Sequence, residues 1–310
     1  MNGFKLISGS SNRSLSEKIA EYLEVGLCDV TLDRFSDGEI KTKINENIRG
    51  VDTFIIQPTN PPAENLMELL ILIDTCFRAS AKRITSVMPY YGYARQDRKD
   101  QPRVPISAKL VANLLHVAGT DRVLTLDLHA SQIQGFFDVQ ADNLFVAPIF
   151  MKHIKSRGIK NLTIVSPDVG SIKMGRALAK KLGADLAIVD KRRSGKDTAQ
   201  VMNVIGEVQD KNVIILDDMI NTAGTLVEAA MEIDRRGAQS IIACATHPVF
   251  SGPACRTIMD SPITEVVVTN SLPFNRFDEC PKVKILDISP LMGEAIKRIH
   301  SNESVSTLFL

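Results

Sequence analysis

The stretch VIILDDMINTAGT, residues 213–225, decides the fold. Val213 to Leu216 is a short apolar run, the pattern of a strand buried on both faces of a parallel sheet. Two carboxylates follow, Asp217 and Asp218, and a turn of small residues, Thr222-Ala223-Gly224-Thr225, opens a helix expected over about Leu226 to Arg236. In open α/β sheets, ligands sit outside the carboxyl ends of the strands. A turn there offers an anion backbone N–H groups, hydroxyls and the positive end of a helix dipole. The carboxylates are poor phosphate ligands but suit sugar hydroxyls or a metal. A phosphorylated pentose combines both demands. The plainer alternative is that Thr222 or Thr225 caps the helix and the aspartates face water. No GxxxxGK(S/T) pattern occurs, which disfavours a P-loop fold.

Outward from that segment, strand-like runs alternate with helical stretches. The first half has strands at Phe4–Ser8, Asp52–Ile56, Arg83–Met88 and Arg122–Leu126, with helices at Arg13–Leu23, Asn65–Ala79 and Ile106–Ala118. The second half adds strands at Leu162–Val165, Leu186–Val189, Ile241–Ala245, Glu265–Thr269 and Val283–Leu286. Its helices are Ala147–Ser156, Ile172–Leu182 and Ser289–Ile299. This is a doubly wound α/β pattern, expected as two domains, 1–147 and 148–310, with the last helix available to pack on the first. Asn65 is expected to cap its helix with Glu68 as the i+3 partner. On that helix Leu66, Leu69, Leu70, Ile73 and Phe77 form one apolar stripe, and Met67, Ile71 and Leu72 lie off it. It is either sunk between layers or used in a subunit contact.

Composition narrows the function classes. In 310 residues, 37 Lys and Arg face 36 Asp and Glu, a formal charge of +1 that argues against a broad nucleic-acid surface. Five cysteines, 28, 76, 244, 255 and 280, form no CxxC pair, as expected of a reduced, cytoplasmic chain. The start, MNGFKLISGSSNR, has no apolar signal core, and no run is long and apolar enough for a membrane span.

Further strand ends and loops carry candidate chemistry. IVSPDVGS, residues 164–171, places Asp168, Val169, Gly170 and Ser171 in a turn before a helix, either an anion-binding turn with an acid for a cation or an ordinary turn. LTLDLHASQIQGFF, residues 124–137, sets Asp127 and His129 past a strand, as a Mg²⁺ site or as a cap and a surface imidazole. The basic run at 190–197, with Lys191 and Arg193, suits an exposed loop that closes over a triphosphate, or else a solvated turn or a nucleic-acid patch, the last disfavoured by the near-neutral net charge. PYYGYARQDRKDQPRVP, residues 89–105, offers an aromatic with Arg95 and Gln96 for a purine. RFSDGE offers Phe35, Asp37 and Glu39, or simply a hairpin around Asp37-Gly38.

Taken together, FSDGE (35–39), NLMELL (65–70), YARQDRKD (93–100), DLHASQIQGFFD (127–138), SPDVG (166–170), DKRR (190–193), DDMINTAGT (217–225) and ATHPVFSGPA (245–254) resemble the ribose-phosphate diphosphokinase family, in its phosphate-regulated class. The resemblance runs nearly end to end, to ESVSTLF at 303–309. It implies two domains of phosphoribosyltransferase-like architecture and diphosphoryl transfer from Mg·ATP to ribose 5-phosphate. By the same likeness Asp217 and Asp218 hold the ribose hydroxyls, and Asn221, Thr222, Ala223, Gly224 and Thr225 cradle the 5-phosphate. His129 and Asp168 are implied as Mg²⁺ ligands, and Asp168 to Ser171 as the diphosphate turn. Phe35, Asp37, Glu39, Arg95, Gln96 and Asp97 fall on the ATP side, and Lys191 and Arg193 on the catalytic loop.

The resemblance further implies homo-oligomers, dimers assembling to a hexamer. Phosphate would activate and ADP inhibit at Arg49, Ser80, Arg103, Gln134, Ser304 and Ser306. This chain departs from the family pattern at Asn221 (Asp in the motif), Ser171 (Gly), Met174 (Arg, with Arg176 retained) and Asn47 (Ser in some relatives). Two rival functions stay open, a phosphoribosyltransferase and a silent regulatory paralogue. The two-domain length and ARQDRKD favour the diphosphokinase over the first, and the retained loop cations and metal-ligand candidates argue against the second.

Overall fold

The computed structural model describes residues 3–167, 170–192 and 201–309. The chain divides into two compact units. One comprises Met1–Phe145, Ser271–Pro273 and Asp287–Leu310, the other Val146–Asn270 and Phe274–Leu286. The division is therefore not a single cut at 147/148, because the C-terminal stretch belongs with the N-terminal unit.

The first unit carries β1 (Phe4–Ser8), α1 (Arg13–Tyr22), β2 (Val30–Arg34), β3 (Ile40–Ile44), β4 (Asp52–Ile56), α2 (Glu64–Arg78), β5 (Arg83–Met88), α3 (Ser107–Ala118), β6 (Arg122–Leu126) and β7 (Gln140–Leu144). β1, β4, β5, β6 and β7 form a parallel sheet in chain order, and β2 and β3 form a separate antiparallel hairpin. β4 is buried at every position, as a strand covered on both faces must be. Alternation sorts its side chains: Ile7 and Ile55 join the α2 and α3 core. Phe4 stacks edge-on against Phe54 on the other face, and also lies 5.0 Å from the ring of His300. α3 stops at Gly119, whose φ of 111° needs a residue without a Cβ.

The second unit begins with α4 (Ala147–Ser156) and continues through β8 (Leu162–Ser166), α5 (Ile172–Leu182), β9 (Asp185–Arg192), β10 (Val201–Ile205) and β11 (Asn212–Ile220). It closes with α6 (Gly224–Arg235), β12 (Ser240–Pro248), α7 (Ala254–Met259), β13 (Glu265–Thr269) and β14 (Val283–Leu286). α8 (Ser289–His300) returns to the first unit and packs on α1. The sheet order is β10-β9-β8-β11-β12-β13-β14, parallel except for the antiparallel β9–β10 pair. Strand order reverses between β8 and β11, the kind of place where an α/β sheet opens a crevice at its carboxyl end.

Two local expectations are corrected. Asn65 does not cap α2, which starts at Glu64 after Ala63. Asn65 Nδ2 instead donates to the Asn60 carbonyl at 2.8 Å. Glu68 is buried and accepts from Ser10 N (2.7 Å), Ser10 Oγ (2.8 Å) and Gln57 Nε2 (2.8 Å). Three donors from two strand ends satisfy a buried carboxylate better than a reach back to the helix start. The apolar arc of α2 is also rotated. Leu72 and Cys76 are buried with Leu66, Leu69 and Ile73, whereas Phe77 is 63% exposed. The hairpin packs beside α2, with Thr42 Oγ1 and Thr75 Oγ1 2.8 Å apart, so the covered arc widens toward that side.

Candidate active site

In the second unit, β11 outruns its neighbour. Its pairing with β8 ends at Ile215↔Val165, but pairing with β12 continues through Asp217↔Ala245 to Ile220↔Pro248. Asp217 and Asp218 therefore lie inside the strand, where the β8 side has stopped, and not after it as the apolar run alone suggests. Both are half-buried, and Asp217 Oδ1 accepts the Asp218 N–H at 2.9 Å. The following turn is held from outside by Ser251 N donating to Asn221 O at 2.9 Å.

Ala223 is the cap residue of α6, with φ 62° and ψ 0°. Left-handed backbone at an alanine is strained, by about 1–2 kcal/mol, and such strain gathers where a ligand is gripped. No side chain caps this helix and no acidic residue stands in its first turn. Thr222 and Thr225 are exposed and do not cap it. The first N–H groups of α6 thus point from a positive helix end without a capping side chain among the described residues.

At the end of β8, Asp168 and Val169 lie outside the described residues. Gly170 is exposed, and Ser171 is the buried cap residue of α5. Met174 is half-buried and Arg176 exposed on that helix. The buried Ser166 Oγ has no hydrogen-bond partner among the described residues. Asp190, Lys191 and Arg192 belong to β9, where a loop was expected; Lys191 pairs with Met202 of β10. Arg193 lies outside the described residues.

In the first unit, Asp127 follows β6 with φ 39°, buried, its N–H on Leu144 O at 2.9 Å. Leu128 N donates to Asn143 Oδ1 at 3.1 Å, and His129 is left exposed on the turn. Gln132, in the 3-10 turn Ser131–Phe136, donates Nε2 to Asp97 Oδ2 at 2.7 Å, so the His129 turn and the 93–97 loop are joined. Arg95 and Gln96 are exposed. Gln96 is held by Ser107 Oγ (3.2 Å to Oε1) and by Ala108 N (3.2 Å to O). Of the nearby tyrosines, Tyr91 is buried with its hydroxyl on Ala108 O at 2.8 Å, and burial pushes its phenol up, while Tyr93 is exposed.

Phe35, Asp37 and Glu39 sit at the tip of the β2–β3 hairpin. Phe35 N donates to Glu39 O and Glu39 N to Asp37 Oδ1, at 2.9 and 3.1 Å. The Phe35 ring is 52% exposed, with Lys41 Nζ 5.5 Å from its centre. No hydrogen bond joins this tip to the 95–97 loop among the described residues.

Of the effector candidates, Arg49 and Ser80 are neighbours: Gly50 N donates to Ser80 O at 2.8 Å. Asn47 Oδ1 accepts the Arg49 N–H at 3.0 Å, which gives the departure at Asn47 a local role. Ser304 and Ser306 lie in a bonded turn, with Ser306 N on Ser304 Oγ and Arg298 on Ser304 O. Arg103 is exposed with φ 66°, and Gln134 is half-buried. All five cysteines are free and buried. Burial pushes the Cys28 and Cys280 thiols to about 11 and those of Cys76 and Cys244 to about 12. These four are inert packing groups at neutral pH. No helix among the described residues is long and apolar enough to cross a membrane.

Two family models match the chain: the N-terminal domain of ribose phosphate pyrophosphokinase over residues 4–119, and a phosphoribosyl synthetase-associated domain over residues 193–310. A ribose-phosphate pyrophosphokinase of Chlorobaculum tepidum is 56% identical over 306 residues, covering 98% of this chain and 94% of that protein. One from Thermotoga maritima is 53% identical over 312 residues, covering 99% and 98%. The crystal structure of phosphoribosylpyrophosphate synthetase from Mycobacterium smegmatis superposes with a TM-score of 0.91 at 38% identity, covering 97% of this chain and 100% of that one.

Proposed function

The chain belongs to the ribose-phosphate pyrophosphokinase family, and from that membership we propose that it transfers the β,γ-diphosphoryl group of ATP to the anomeric hydroxyl of ribose 5-phosphate. The products are 5-phospho-α-D-ribose 1-diphosphate and AMP. The anomeric oxygen bonds to the β-phosphorus and gives up its proton, and the bond from that phosphorus to the α-bridging oxygen breaks with its electrons leaving on AMP. No covalent intermediate with the protein is required, so positioning and electrostatics carry the catalysis.

The observation that carries this reading is the β11–α6 turn. It sets an uncapped helix start with a left-handed Ala223 beside two half-buried carboxylates, next to the strand-order reversal. The helix start suits the 5-phosphate, held at residues 221–225, and Asp217 and Asp218 accept from the ribose hydroxyls. Arg95, Gln96 and Asp97 of the first unit serve the ATP side, with Phe35, Asp37 and Glu39 of the hairpin tip. Lys191 and Arg193 offset charge on the transferring group.

Among the described residues no group of three His, Cys, Asp or Glu side chains could cage a metal by itself. Such a cage is not required, because Mg²⁺ keeps waters and substrate phosphate oxygens and needs only one or two protein ligands. His129 and Asp168 would hold it, and the ion supplies neutralisation of triphosphate charge. Homo-oligomers of dimers building a hexamer, with phosphate as activator and ADP as inhibitor at Arg49, Ser80, Arg103, Gln134, Ser304 and Ser306, complete the reading. The five buried free thiols fit a cytoplasmic setting.

The test is incubation of the purified chain with ATP, Mg²⁺ and ribose 5-phosphate. AMP and the sugar diphosphate should appear in equal amounts. No AMP, with binding to an active homologue, would replace this reading with a silent regulatory one. Asp218→Ala should weaken the ribose 5-phosphate titration.

A further inference from the structure

The loop carrying Arg95 and Gln96 is fixed to the body of the first unit near its start, by the end of β4. Thr59 is 1% exposed, and its N–H donates to Tyr90 O at 3.0 Å. Its hydroxyl accepts the Gly92 N–H at 2.8 Å and donates to Tyr90 O at 3.3 Å. The two segments touch so closely that a Cβ on Gly92 would stand 2.0 Å from the Thr59 carbonyl oxygen, so only glycine fits.

The Thr59 side of this contact is itself anchored. Gln57, fully buried, gives Nε2 to Glu68 (2.8 Å) and to Asn65 O (3.2 Å). Asn60 receives Asn65 Nδ2 on its carbonyl and Ser11 Oγ on its side chain, both at 2.8 Å. On the other side the chain leaves Gly92 at once into a left-handed Tyr93, φ 63°, exposed, and then into exposed Arg95 and Gln96. An anchored strand end is thus coupled to the base of a solvent-facing loop through the Thr59 backbone N–H and one buried hydroxyl, and only the hydroxyl reaches Gly92 N.

We propose that Thr59 is a positioning residue for the nucleotide, its hydroxyl setting the Gly92 backbone and through it the course of the 93–97 loop. The inference rests on the assignment of Arg95, Gln96 and Asp97 to the ATP side. Thr59 touches no reacting atom. Its loss should loosen ATP binding and leave the sugar phosphate site, which stands on the other unit, untouched.

Thr59→Val keeps the shape and deletes the hydroxyl, and Thr59→Ser keeps the hydroxyl. With Thr59→Val the KM for ATP should rise about five- to tenfold, the worth of one buried hydrogen bond. The KM for ribose 5-phosphate should stay within about twofold, and Thr59→Ser should restore the ATP value. Gly92→Ala forces the same segments apart and should show the same ATP-selective rise. Equal rises for both substrates, an unchanged ATP value, or a serine variant as impaired as the valine one would overturn the proposal. If the unaltered protein makes no AMP, the assigned reaction fails, and calorimetric ATP titration then decides the role of Thr59 separately. Weaker ATP binding by Thr59→Val than by Thr59→Ser supports positioning, and equal binding overturns it.

Discussion

Two strand–helix turns of this protein share a composition and differ in state. SGSSN, residues 8–12, leads from β1 into α1, and INTAGT, residues 220–225, leads from β11 into α6. Both are rich in small hydroxyl residues at the carboxyl end of a parallel strand. In the first, Ser10 N is taken by Glu68 and Ser11 N by Gln57 Oε1, and Asn12 Oδ1 accepts from Leu15 N. An internal carboxylate occupies the place an anion would take. In the second the cap is an alanine and, among the described residues, no side chain makes a capping hydrogen bond. The difference teaches that a turn of this composition is a binding site only when the rest of the fold leaves its nitrogens to an outside ligand.

The largest expected effect tests whether charge is offset on the unit with the open turn. Lys191→Ala should lower turnover roughly 10²- to 10³-fold, with little change in the KM for ribose 5-phosphate, because the role proposed for its cation is in the transition state. Steady-state rates on both substrates read this out, and unchanged turnover would remove Lys191 from the transfer step.

Closing the open turn comes next. Ala223→Asp supplies an acceptor at a cap position whose left-handed backbone Asp tolerates better than Ala. It should reduce kcat/KM for ribose 5-phosphate about 100-fold, or about 2.7 kcal/mol, while thermal stability holds or rises. A sugar phosphate KM equal to the parent's would mean that the phosphate sits elsewhere.

The converse change opens the closed turn. Glu68→Ala strips three donors of their buried acceptor and should lower unfolding free energy by about 2–3 kcal/mol, read from urea midpoints. The KM for ribose 5-phosphate should not move. If it did, the SGSSN turn would share in sugar binding.

The smallest effect concerns the far end of α6. Burial raises the Glu232 carboxyl, but the Arg236 and Arg235 guanidiniums outweigh it and hold the group below its ordinary 4.5. Arg236 also donates to Val204 O on β10 at 2.9 Å, tying the helix to the edge ribbon that carries Lys191. A depressed carboxyl contributes stability that is complete above 4.5 and lost as pH falls through the folded value. Urea midpoints from pH 7 down to 3 should therefore fall less in Glu232→Gln than in the parent, by about 1 kcal/mol or less. Parallel curves would show that the carboxyl contributes nothing.

Much of this was legible in residue order. The apolar run 213–216 announces a buried strand, and the small-residue TAGT turn announces the helix that follows it. The same run stops four residues short of the strand's end, because β12 keeps pairing after β8 has finished. Nothing in an alanine signals a left-handed cap, so the strain at Ala223 was invisible. The hairpin stood only as an alternative around Asp37-Gly38, although Ile40–Ile44 alternates strictly between half-buried and exposed positions. Glu68 looked like a capping partner three residues from Asn65, yet its donors come from Ser10 and Gln57.

The sequence by itself determined the alternation of strands and helices and the residue types at each strand end, because side-chain periodicity and turn chemistry act within a few residues. Tertiary structure alone decided which strand end is open. Ser10 meets its carboxylate 58 residues away, and the strand-order reversal beside Asp217 depends on which strands pair. Whether a backbone N–H is left for a ligand depends on every side chain that can reach it, and that is a property of packing rather than of local order.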